Sequence, residues 1–445
     1  MLETKNMDSN YLCKIVKLEG VRKHSNADRL QVVNVGMNTV ITSLDAKDGD
    51  IYVYFPLECK ISESFLSATN SFRNSTKNAD LNSVGFFEDN CRVKAVSLRG
   101  ERSMGYIVPA SIVVNWALGK PLTNQVYIPD CDYNMTFDTI NGQLLVDKYQ
   151  VKVRFSNNQF RGKQPKLNRL VDGQVNLHGK TKNLRHTPES IQPNDLISIT
   201  YKTHGTSWWV SNVLVKRRLN LLEKFLKYIG VAIKYLEYDI IYGSRNVVKN
   251  KVFKDPKQSN HFYGVDIWSE IRDEIGHLVP KGFTLYGECL GFTSTGEFIQ
   301  KGFDYGCDPQ GSGTKPQRKI EVYRITQTNE DGDVTELSYP EIKEFCEVRG
   351  LTPSHLFFYG KAGDLYKKPA NTGLKIWSNN FVTILEREYN QKDCFMCDLI
   401  VPEEGVVIRK ERLTGLESYK LKSYRFLEGE TKAFDMGESD IESEN

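Results

Sequence analysis

Short runs of β-branched and aromatic residues, separated by glycines, dominate the first 118 residues and constrain the fold more than any other feature. These runs are Tyr11–Leu18, Leu30–Val35, Thr39–Thr42, Ile51–Phe55, Arg92–Leu98 and Tyr106–Val108. Short apolar runs with glycine between them are typical of the strands of a small β-barrel. The sequence therefore predicts an all-β barrel domain over residues 8–118.

From about residue 145 the sequence mixes segments with helical and strand periodicity. Leu219–Ile229 and Ile267–Ile275 have apolar residues at helical spacing, and Ser338 begins a capped helix that ends before Gly350. Strand-like runs lie among these helices at Leu196–Tyr201, Phe283–Gly287, Ile320–Ile325 and Gly405–Ile408. Because the order follows no regular βαβ rhythm, we predict an α+β domain over residues 149–427.

The charge distribution separates a basic body from an acidic C-terminus. The whole chain has a formal net charge of +3, although residues 428–445 contribute seven acids and only one base. We expect that stretch to be a disordered acidic tail, and residues 119–148 to be a linker between the two domains. A basic body suits a polyanionic partner such as nucleic acid.

Membrane and secretory classes are disfavoured by the sequence. The longest apolar stretch, Tyr106–Leu118, is shorter than the ~18 residues of a membrane span, and the first thirty residues contain no secretory signal. Nine scattered cysteines fit a reducing compartment. Cys394 and Cys397 have zinc-ligand spacing, but no second pair completes a site, and we interpret them as ordinary thiols. We expect an intracellular, cytoplasmic protein without a membrane partner.

A lysine at a strand end is the sharpest local feature. Lys202 directly follows the run Leu196–Tyr201 and precedes His204-Gly205, so a tight turn can direct its amine into a pocket. Four segments follow in order, at residues 286–288, 321–324, 404–409 and 420–422. Together they resemble motifs I, III, IIIa, IV and V of the covalent nucleotidyltransferases, the superfamily of RNA ligases, DNA ligases and mRNA capping enzymes. The resemblance, over roughly residues 150–425, implies an ATP-grasp-like ligase fold for the α+β domain.

The chemistry of these residue types agrees with the resemblance. A lysine that attacks the α-phosphate of ATP must be neutral, although its ordinary pKa is about 10.4. Lys420 and Lys422, or a bound metal, would lower that pKa by disfavouring a further positive charge. Lys420 and Lys422 are two residues apart, so one face of a strand directs both toward phosphates. A solvated basic strand is the alternative reading of this pair.

The resemblance assigns further roles around the nucleotide. An extended chain places Glu404 and Val406 on one face, where Glu404 would hold metal-bound water and Val406 would lie under the base. Glu288 would accept hydrogen bonds from the ribose hydroxyls, and Tyr323 would stack on adenine. Glu404 as a plain strand-end acid and Tyr323 as a core aromatic remain the alternatives.

Basic residues between the first two motifs are candidates for nucleic-acid contact. Arg245 and Asn246 match the family's motif Ia, in which an arginine contacts RNA phosphate or the reacting ends. The guanidinium group provides a permanent, bidentate charge suited to that task. Arg218 is a further candidate, in a basic cluster that opens the predicted helix after Lys202, and a solvated helix end is its alternative.

Two features indicate which branch of the superfamily the chain resembles. The lysine motif has His204 before Gly205, a form similar to RNA ligases, and no C-terminal barrel follows Lys422. The segments His24–Leu30 and Leu98–Gly105 resemble the signatures of OB-type tRNA-binding domains, which hold single strands in basic grooves. This order of domains resembles RNA ligase family five, the Deinococcus-type ligases, with additional length around residues 65–85 and 325–400.

The resemblance implies an ATP-dependent RNA ligase that uses Mg²⁺ or Mn²⁺. Such an enzyme forms lysyl-AMP, transfers AMP to a 5′-phosphate, and seals nicks whose 3′-OH strand ends in RNA. We expect ATP and an RNA-containing nicked duplex as partners of a monomer. The alternatives are an RNA- or tRNA-binding protein with a non-catalytic transferase domain, and another polynucleotide ligase or capping-type enzyme.

Overall fold

The computed structural model describes residues 2–4, 9–123, 133–150, 169–217, 219–249, 263–369 and 371–436. Within those ranges, no helix has both the length and the apolar character needed to cross a membrane. The chain divides into an N-terminal region, residues 2–150, and a C-terminal region, residues 169–436.

The N-terminal region is built mainly from short strands. These are β1 (Leu2–Glu3), β2 (Cys13–Lys17), β3 (Glu19–Lys23), β4 (Leu30–Val35), β5 (Asn38–Ser43), β6 (Ile51–Phe55), β7 (Cys59–Ile61), β8 (Ala95–Leu98), β9 (Glu101–Met104), β10 (Tyr106–Pro109), β11 (Thr136–Phe137), β12 (Thr139–Ile140), β13 (Gln143–Leu144) and β14 (Val146–Lys148). Its described α-helices are α1 (Glu63–Ala68) and α2 (Ala110–Ala117).

These strands pair in small sheets instead of one closed barrel. The order β10-β6-β2-β11 forms a four-stranded sheet, β3-β4-β5 and β1-β12-β13 form three-stranded sheets, and β7-β14 and β8-β9 are pairs. The described pairings therefore do not close the expected barrel. Residues 136–148 of the expected linker belong to this region, because β11 pairs with β2 and β14 with β7. Strands of two or three residues are too short to show alternation in a sequence.

The C-terminal region contains longer strands and most of the helices. Its strands are β15 (Lys182–Asn183), β16 (Leu196–Tyr201), β17 (Thr206–Lys216), β18 (Leu236–Ser244), β19 (Val247–Lys249), β20 (Phe283–Gly291), β21 (Arg318–Thr328), β22 (Val334–Glu336), β23 (Thr352–Pro353), β24 (Leu356–Lys361), β25 (Gly405–Lys410) and β26 (Glu417–Lys422). Its described α-helices are α3 (Leu221–Tyr228), α4 (Ile267–Ile275), α5 (Tyr339–Arg349), α6 (Ala362–Leu365), α7 (Leu374–Arg387) and α8 (Tyr424–Asp435).

Two sheets organise this region. The first, called here the five-stranded sheet, has the order β15-β26-β25-β16-β24, and its apolar face packs against α7. The second, the seven-stranded sheet, has the order β19-β18-β17-β20-β21-β22 with β23 beside β21, and it packs against α4 and α5. The α+β prediction is confirmed for the described part of the C-terminal region.

Local sequence signals explain where the helices begin and end. The predicted cap at Ser338 is confirmed: Ser338 and Glu341 form a reciprocal capping box, and Gly350 ends α5 in the left-handed conformation at φ 66°. The predicted helix over Ile267–Ile275 is α4, and Asp266 caps it by accepting a hydrogen bond from the Ser269 N–H.

Helix α8 corrects the expected extent of the acidic tail. Glu428 and Asp435 lie within this helix, where Glu428 pairs with Arg102 at 3.0 Å and Asp435 pairs with Arg92 at 2.6 Å. The acids are ordered because the N-terminal region supplies cations opposite them, which a charge count along the sequence does not reveal. Through these pairs α8 joins the two regions.

Candidate active site

A pocket of about 880 Å³, its open mouth included, lies between the five-stranded and seven-stranded sheets. The five-stranded sheet and the residues at its strand ends contribute Ser198, Thr200, Tyr201, Lys202, Val407, Arg409, Ser418 and Lys420. The seven-stranded sheet and its turns contribute Ser207, Arg245, Glu288, Tyr323 and Arg324.

Lys202 lies at the end of β16, as the sequence predicted. Its backbone N–H donates to the Gly405 carbonyl at 2.8 Å, which extends the pairing of β16 with β25 by one residue. The turn that follows depends on Gly205, because a Cβ there would lie 2.2 Å from the Cys289 carbonyl oxygen. Only glycine permits this approach, which brings the lysine turn against β20.

Glu404 and Lys422 meet Lys202 beside the pocket. The Glu404 carboxylate lies 2.8 Å from the Lys202 ammonium and 3.6 Å from the Lys422 ammonium. Its side chain is only 1% exposed, so the charges interact with little screening by water. The three predicted residues therefore form one charge cluster.

Glu430 of α8 extends this cluster. Its carboxylate lies 2.9 Å from the Lys422 ammonium. Burial alone would raise the pKa of Glu430, but the neighbouring Lys422 outweighs it and the pKa is lowered. Glu430 was assigned to the tail in the sequence, where nothing pointed to a contact with Lys422.

The alternation of β25 corrects the position predicted for Val406. Val406 is fully buried in the core between the five-stranded sheet and α7, whereas Val407 lines the pocket. Gly405 has φ 138° and lies so close to Leu421 that a Cβ would be 2.0 Å from its carbonyl oxygen. This glycine interrupts the extended geometry on which the shared face of Glu404 and Val406 depended.

Alternation on β26 follows the prediction. Tyr419 and Leu421 are buried in the core with α7, and Lys420 lines the pocket between them. Lys422, the next residue on that face, packs its ammonium over the Phe426 ring at 4.9 Å. The two lysines are therefore directed to the pocket side and are not a solvated basic strand.

The seven-stranded sheet places Glu288 and Tyr323 in the opposite wall. Glu288 is buried on β20 and lines the pocket. The Tyr323 hydroxyl lies 3.0 Å from the Ser207 hydroxyl, and the His178 ring meets the Tyr323 ring edge-on at 5.1 Å. Tyr323 also packs against buried residues of β17 and β20, so it is both a pocket residue and a core aromatic.

The predicted nucleic-acid residues occupy different positions. Arg245 and Asn246 form the turn between β18 and β19; Arg245 lines the pocket, and Asn246 is exposed. Arg218 lies outside the described residues. Of the two candidates that the structure describes, Arg245 alone is among the residues that line this pocket.

Aromatic contacts hold the backbone beside Lys202. The His204 N–H donates to the Tyr305 hydroxyl at 2.5 Å, and the His204 ring lies edge-on to Phe303 and Phe426 at about 5 Å. Next to it, the Thr203 hydroxyl donates to Glu321 at 3.4 Å. Burial raises the pKa of Glu321 to about 7, although the Thr203 hydrogen bond acts in the opposite direction.

Several pocket residues were missed by the sequence reasoning. His178 precedes the five segments that resemble nucleotidyltransferase motifs, and no residue spacing distinguished it. Ser207 directly follows the lysine turn, and Val407 lies inside the segment 404–409. The alternation of side chains along each strand, considered from Thr206 and from Gly405, could have identified both residues. Arg324 was inside a recognised segment, and its guanidinium pairs with Glu336 while covering the Tyr286 ring at 4.4 Å.

The donors around the pocket suit a nucleoside triphosphate. Lys202, Lys420 and Arg245 are cations for phosphates, and Tyr323 offers a ring for a base. Among the described residues no group of three histidine, cysteine or acidic side chains could hold a metal ion. The Glu404 carboxylate, buried beside Lys202, would hold a divalent ion together with water and phosphate oxygens, which is the mode that Mg²⁺ prefers.

Comparisons with known proteins identify the fold. No protein-family model matches the chain, and no curated protein matches its sequence. Solved structures of an RNA ligase from Naegleria gruberi are similar over nearly the whole chain. An alanine variant with ATP and manganese is 12% identical, covers 97% of this chain and 99% of its own, and has a TM-score of 0.54. A second variant without ligand is 14% identical, with coverages of 96% and 100% and a TM-score of 0.56.

A third structure, of the same ligase with pyrophosphate, is 14% identical with a TM-score of 0.54 and covers 95% of this chain and 99% of its own. At such low identity the likeness shows a shared fold that includes both regions of the chain. The α+β fold predicted for the C-terminal region is therefore one that a solved RNA ligase shares.

Proposed function

We propose that this chain is an ATP-dependent RNA ligase that works through a covalent adenylate on Lys202. The observation that carries the proposal is the contact of Lys202 with Glu404 and Lys422 beside a pocket between two sheets. The fold shared with an RNA ligase that binds ATP and manganese supports it.

In the first step, the Lys202 amine would attack the α-phosphorus of ATP. A P–N bond forms, the bond from that phosphorus to the β-phosphate oxygen breaks, and pyrophosphate leaves. The base would lie against Tyr323 and Val407, the ribose beside Glu288, and the phosphates beside Lys420 and Lys422. This arrangement holds the reacting atoms together, which is a large part of such catalysis.

Because of its ion pair with Glu404, Lys202 must lose a proton before it can act as a nucleophile. A carboxylate at 2.8 Å stabilises the lysine ammonium, whose nitrogen is unreactive until it loses a proton. Glu404 would hold Mg²⁺ or Mn²⁺ through water, and the ion would supply neutralisation of phosphate charge. The Lys422 ammonium, 3.6 Å from the same carboxylate, disfavours a second positive charge there and so favours loss of the Lys202 proton.

The remaining steps transfer AMP and seal the strand. An oxygen of a 5′-phosphate attacks the adenylate phosphorus, the P–N bond breaks, and Lys202 recovers its amine. A 3′-OH then attacks the 5′-phosphorus and AMP leaves, so that one phosphodiester is formed per ATP. Arg245, at the pocket edge, would contact the nucleic-acid phosphates in these steps.

We further propose that the N-terminal region holds a nicked duplex whose 3′-OH strand is RNA, in a monomeric enzyme of the Deinococcus type. An open groove between this region and α8 is lined by Arg29, Arg73 and the exposed Phe86, with acids such as Glu88 and Glu428 also on its walls. Guanidinium groups and an aromatic ring are the contacts that OB-type domains use for single strands. The groove supports this role without requiring a closed barrel.

The proposal is tested by label transfer from α-labelled ATP. In the presence of Mg²⁺ the protein should acquire an acid-stable label, and Lys202→Ala should abolish it because the proposed adenylate forms on the Lys202 amine. Lys343→Ala, on the exposed side of α5, is the matched control and should label normally. Wild-type labelling of Lys202→Ala would refute the nucleophile, and absence of label on the wild type would favour a non-catalytic binding protein.

The N-terminal role is tested by binding to a nicked duplex. Binding should weaken steeply as salt rises, because phosphate contacts release counterions. Arg29→Ala and Arg73→Ala should each weaken binding several-fold and leave label transfer unchanged, since both lie outside the pocket. Point variants are preferable to a truncation, which would remove the partners of α8. Unchanged binding in both variants would contradict the role of this groove.

A further inference from the structure

Helix α3 presents apolar side chains to solvent. Five of them, Leu221, Leu222, Phe225, Tyr228 and Ile229, are between 55% and 88% exposed. Together they are called here the α3 surface. Isolated exposed apolar residues are ordinary, but five within nine residues form a patch of the kind that marks an interaction site.

The orientation of α3 is inverted relative to an ordinary surface helix. With 100° between successive residues, the apolar residues of the helix occupy one arc of roughly 160°, opposite Glu223. Glu223 pairs with Arg217 at 2.5 Å and accepts from the Asn220 N–H at 2.8 Å, and both partners lie in the segment that leads into the helix. The acid on the polar face is therefore paired at the start of the helix, while the apolar face is exposed.

The α3 surface is remote from the pocket. It lies in the connection between β17 and β18, beyond the last pair Lys216–Leu236. The other end of this hairpin, at the Trp208–Ser244 pair, adjoins the pocket residues Ser207 and Arg245. Eight residues of strand separate the two ends by about 26 Å, so nothing bound at α3 would obstruct the pocket.

Exposed lysines border the apolar residues. Lys216, Lys224 and Lys234 are exposed around α3, and no ion pair to any of them occurs within the described ranges. Glu223 is the only acid between residues 219 and 235, and it is paired with Arg217. The surroundings of the α3 surface are therefore strongly cationic.

We propose that the α3 surface binds the surface of a membrane that contains anionic lipids. An interfacial helix inserts apolar side chains at the level of the acyl boundary while lysines contact lipid phosphates. Leucine, phenylalanine, tyrosine and isoleucine beside lysines match both requirements. The absence of a membrane partner was predicted from the lack of a spanning segment in the sequence, whereas this helix would lie on the bilayer.

Other occupants fit the same features less well. A second copy of the chain would bring two cationic surroundings together, which is unfavourable. Nucleic acid would satisfy the lysines but not the leucines and isoleucine, whose aliphatic side chains cannot stack on bases as aromatic rings do. The combination of apolar insertion and positive charge is what selects an anionic bilayer.

The experiment is flotation of the full-length protein with vesicles. It should float with vesicles of phosphatidylcholine and phosphatidylserine, but not with phosphatidylcholine alone, and high salt should reduce the bound fraction. Phe225→Asp should weaken partitioning by about tenfold or more, and Lys224→Glu by a smaller factor. Val348→Asp, at an equally exposed apolar position of α5, is the matched control and should bind normally.

Several results would overturn the proposal. They are failure of the wild type to bind anionic vesicles, equal binding to both compositions, and normal binding by Phe225→Asp. Loss of dimers or of RNA binding in Phe225→Asp, without vesicle binding by the wild type, would assign the surface to a second copy or to RNA. Circular dichroism confirms that each variant is folded, so flotation is judged independently of the proposed ligase activity.

Discussion

The two sheets that enclose the pocket differ in the chemistry they contribute. The five-stranded sheet and its ends contribute charge, in Lys202, Glu404, Lys420 and Lys422. The seven-stranded sheet contributes mainly groups that would recognise the nucleotide. These are Tyr323 and other residues whose hydroxyl or carboxylate groups line the opposite wall. The groups that would make and break bonds therefore come from one sheet, and those that would orient the nucleotide come mostly from the other.

This division follows from how each sheet is supported. Lys420 alternates with Tyr419 and Leu421, which are fixed in the core against α7. A charged side chain held by such packing keeps its direction without a flexible loop, which preserves the electrostatic arrangement during the reaction. Arg245 differs from both sets, because it stands on a turn at the edge of the seven-stranded sheet.

Removing the carboxylate of the charged sheet should have the largest effect. We expect Glu404→Gln to lower the rate of Lys202 adenylylation by about 10²–10³, because one buried charge at a reacting centre has effects of that size. The measurement is single-turnover labelling with α-labelled ATP and Mg²⁺. Glu417→Gln, a paired carboxylate on the same hairpin but away from Lys202, is the control. Labelling of Glu404→Gln at the wild-type rate would contradict the proposal that the five-stranded sheet contributes the groups that make and break bonds.

Arg245 offers a sharper test, with a smaller effect confined to later steps. Arg245→Ala should reduce sealing of a pre-adenylylated nicked RNA about tenfold to a hundredfold, because a bidentate phosphate contact is lost. Label transfer to Lys202 should change much less. Arg349→Ala, at the end of α5 and outside the pocket, is the control. Equal losses in labelling and sealing would place Arg245 with the charged nucleotide-binding residues instead.

The fold of the C-terminal region was largely accessible from the sequence. Leu196–Tyr201 and Ile267–Ile275 are elements with the predicted bounds, because strand runs and helical spacing are strong in long segments. Strands such as β11 and β14 were missed, since pairs of two or three residues depend on distant partners. The closed barrel predicted for the first region depended on runs of residues, which do not determine how sheets join.

The site was accessible where a motif coincided with a regular strand or its end. Lys202 and Glu288 lie in the pocket as predicted, whereas Val406 and Val407 exchange roles because of the unusual backbone at Gly405. Glu430 could not be found, since its partner Lys422 is set by the packing of α8. Local periodicity thus located residues on strands, but not where the chain departs from regular geometry.

Two buried carboxyl groups allow the two sheets to be compared through the free energy of unfolding. Burial raises the pKa of Glu321, in the seven-stranded sheet, from its ordinary value of 4.5 to about 7. The folded state therefore binds the proton more tightly, and the stabilisation present below pH 4.5 is lost as pH rises through 7. Glu321→Gln removes this loss and keeps an acceptor for the Thr203 hydroxyl. We expect the variant to be about 3 kcal/mol more stable than wild type at pH 8, with little difference at pH 4.

Glu430, beside the charged sheet, should behave in the opposite way. Its pKa is lowered by Lys422 against the effect of burial, so its ionised form stabilises the folded state above the ordinary pKa of glutamate and that contribution is lost in acid. Glu430→Gln should therefore be less stable than wild type at pH 8 and should approach it as pH falls. Urea unfolding of both variants between pH 4 and 8 measures the two slopes. Parallel curves for Glu321→Gln and wild type would show that the seven-stranded sheet does not hold Glu321 neutral, and the contrast between the two walls would then be limited to their contacts with substrate.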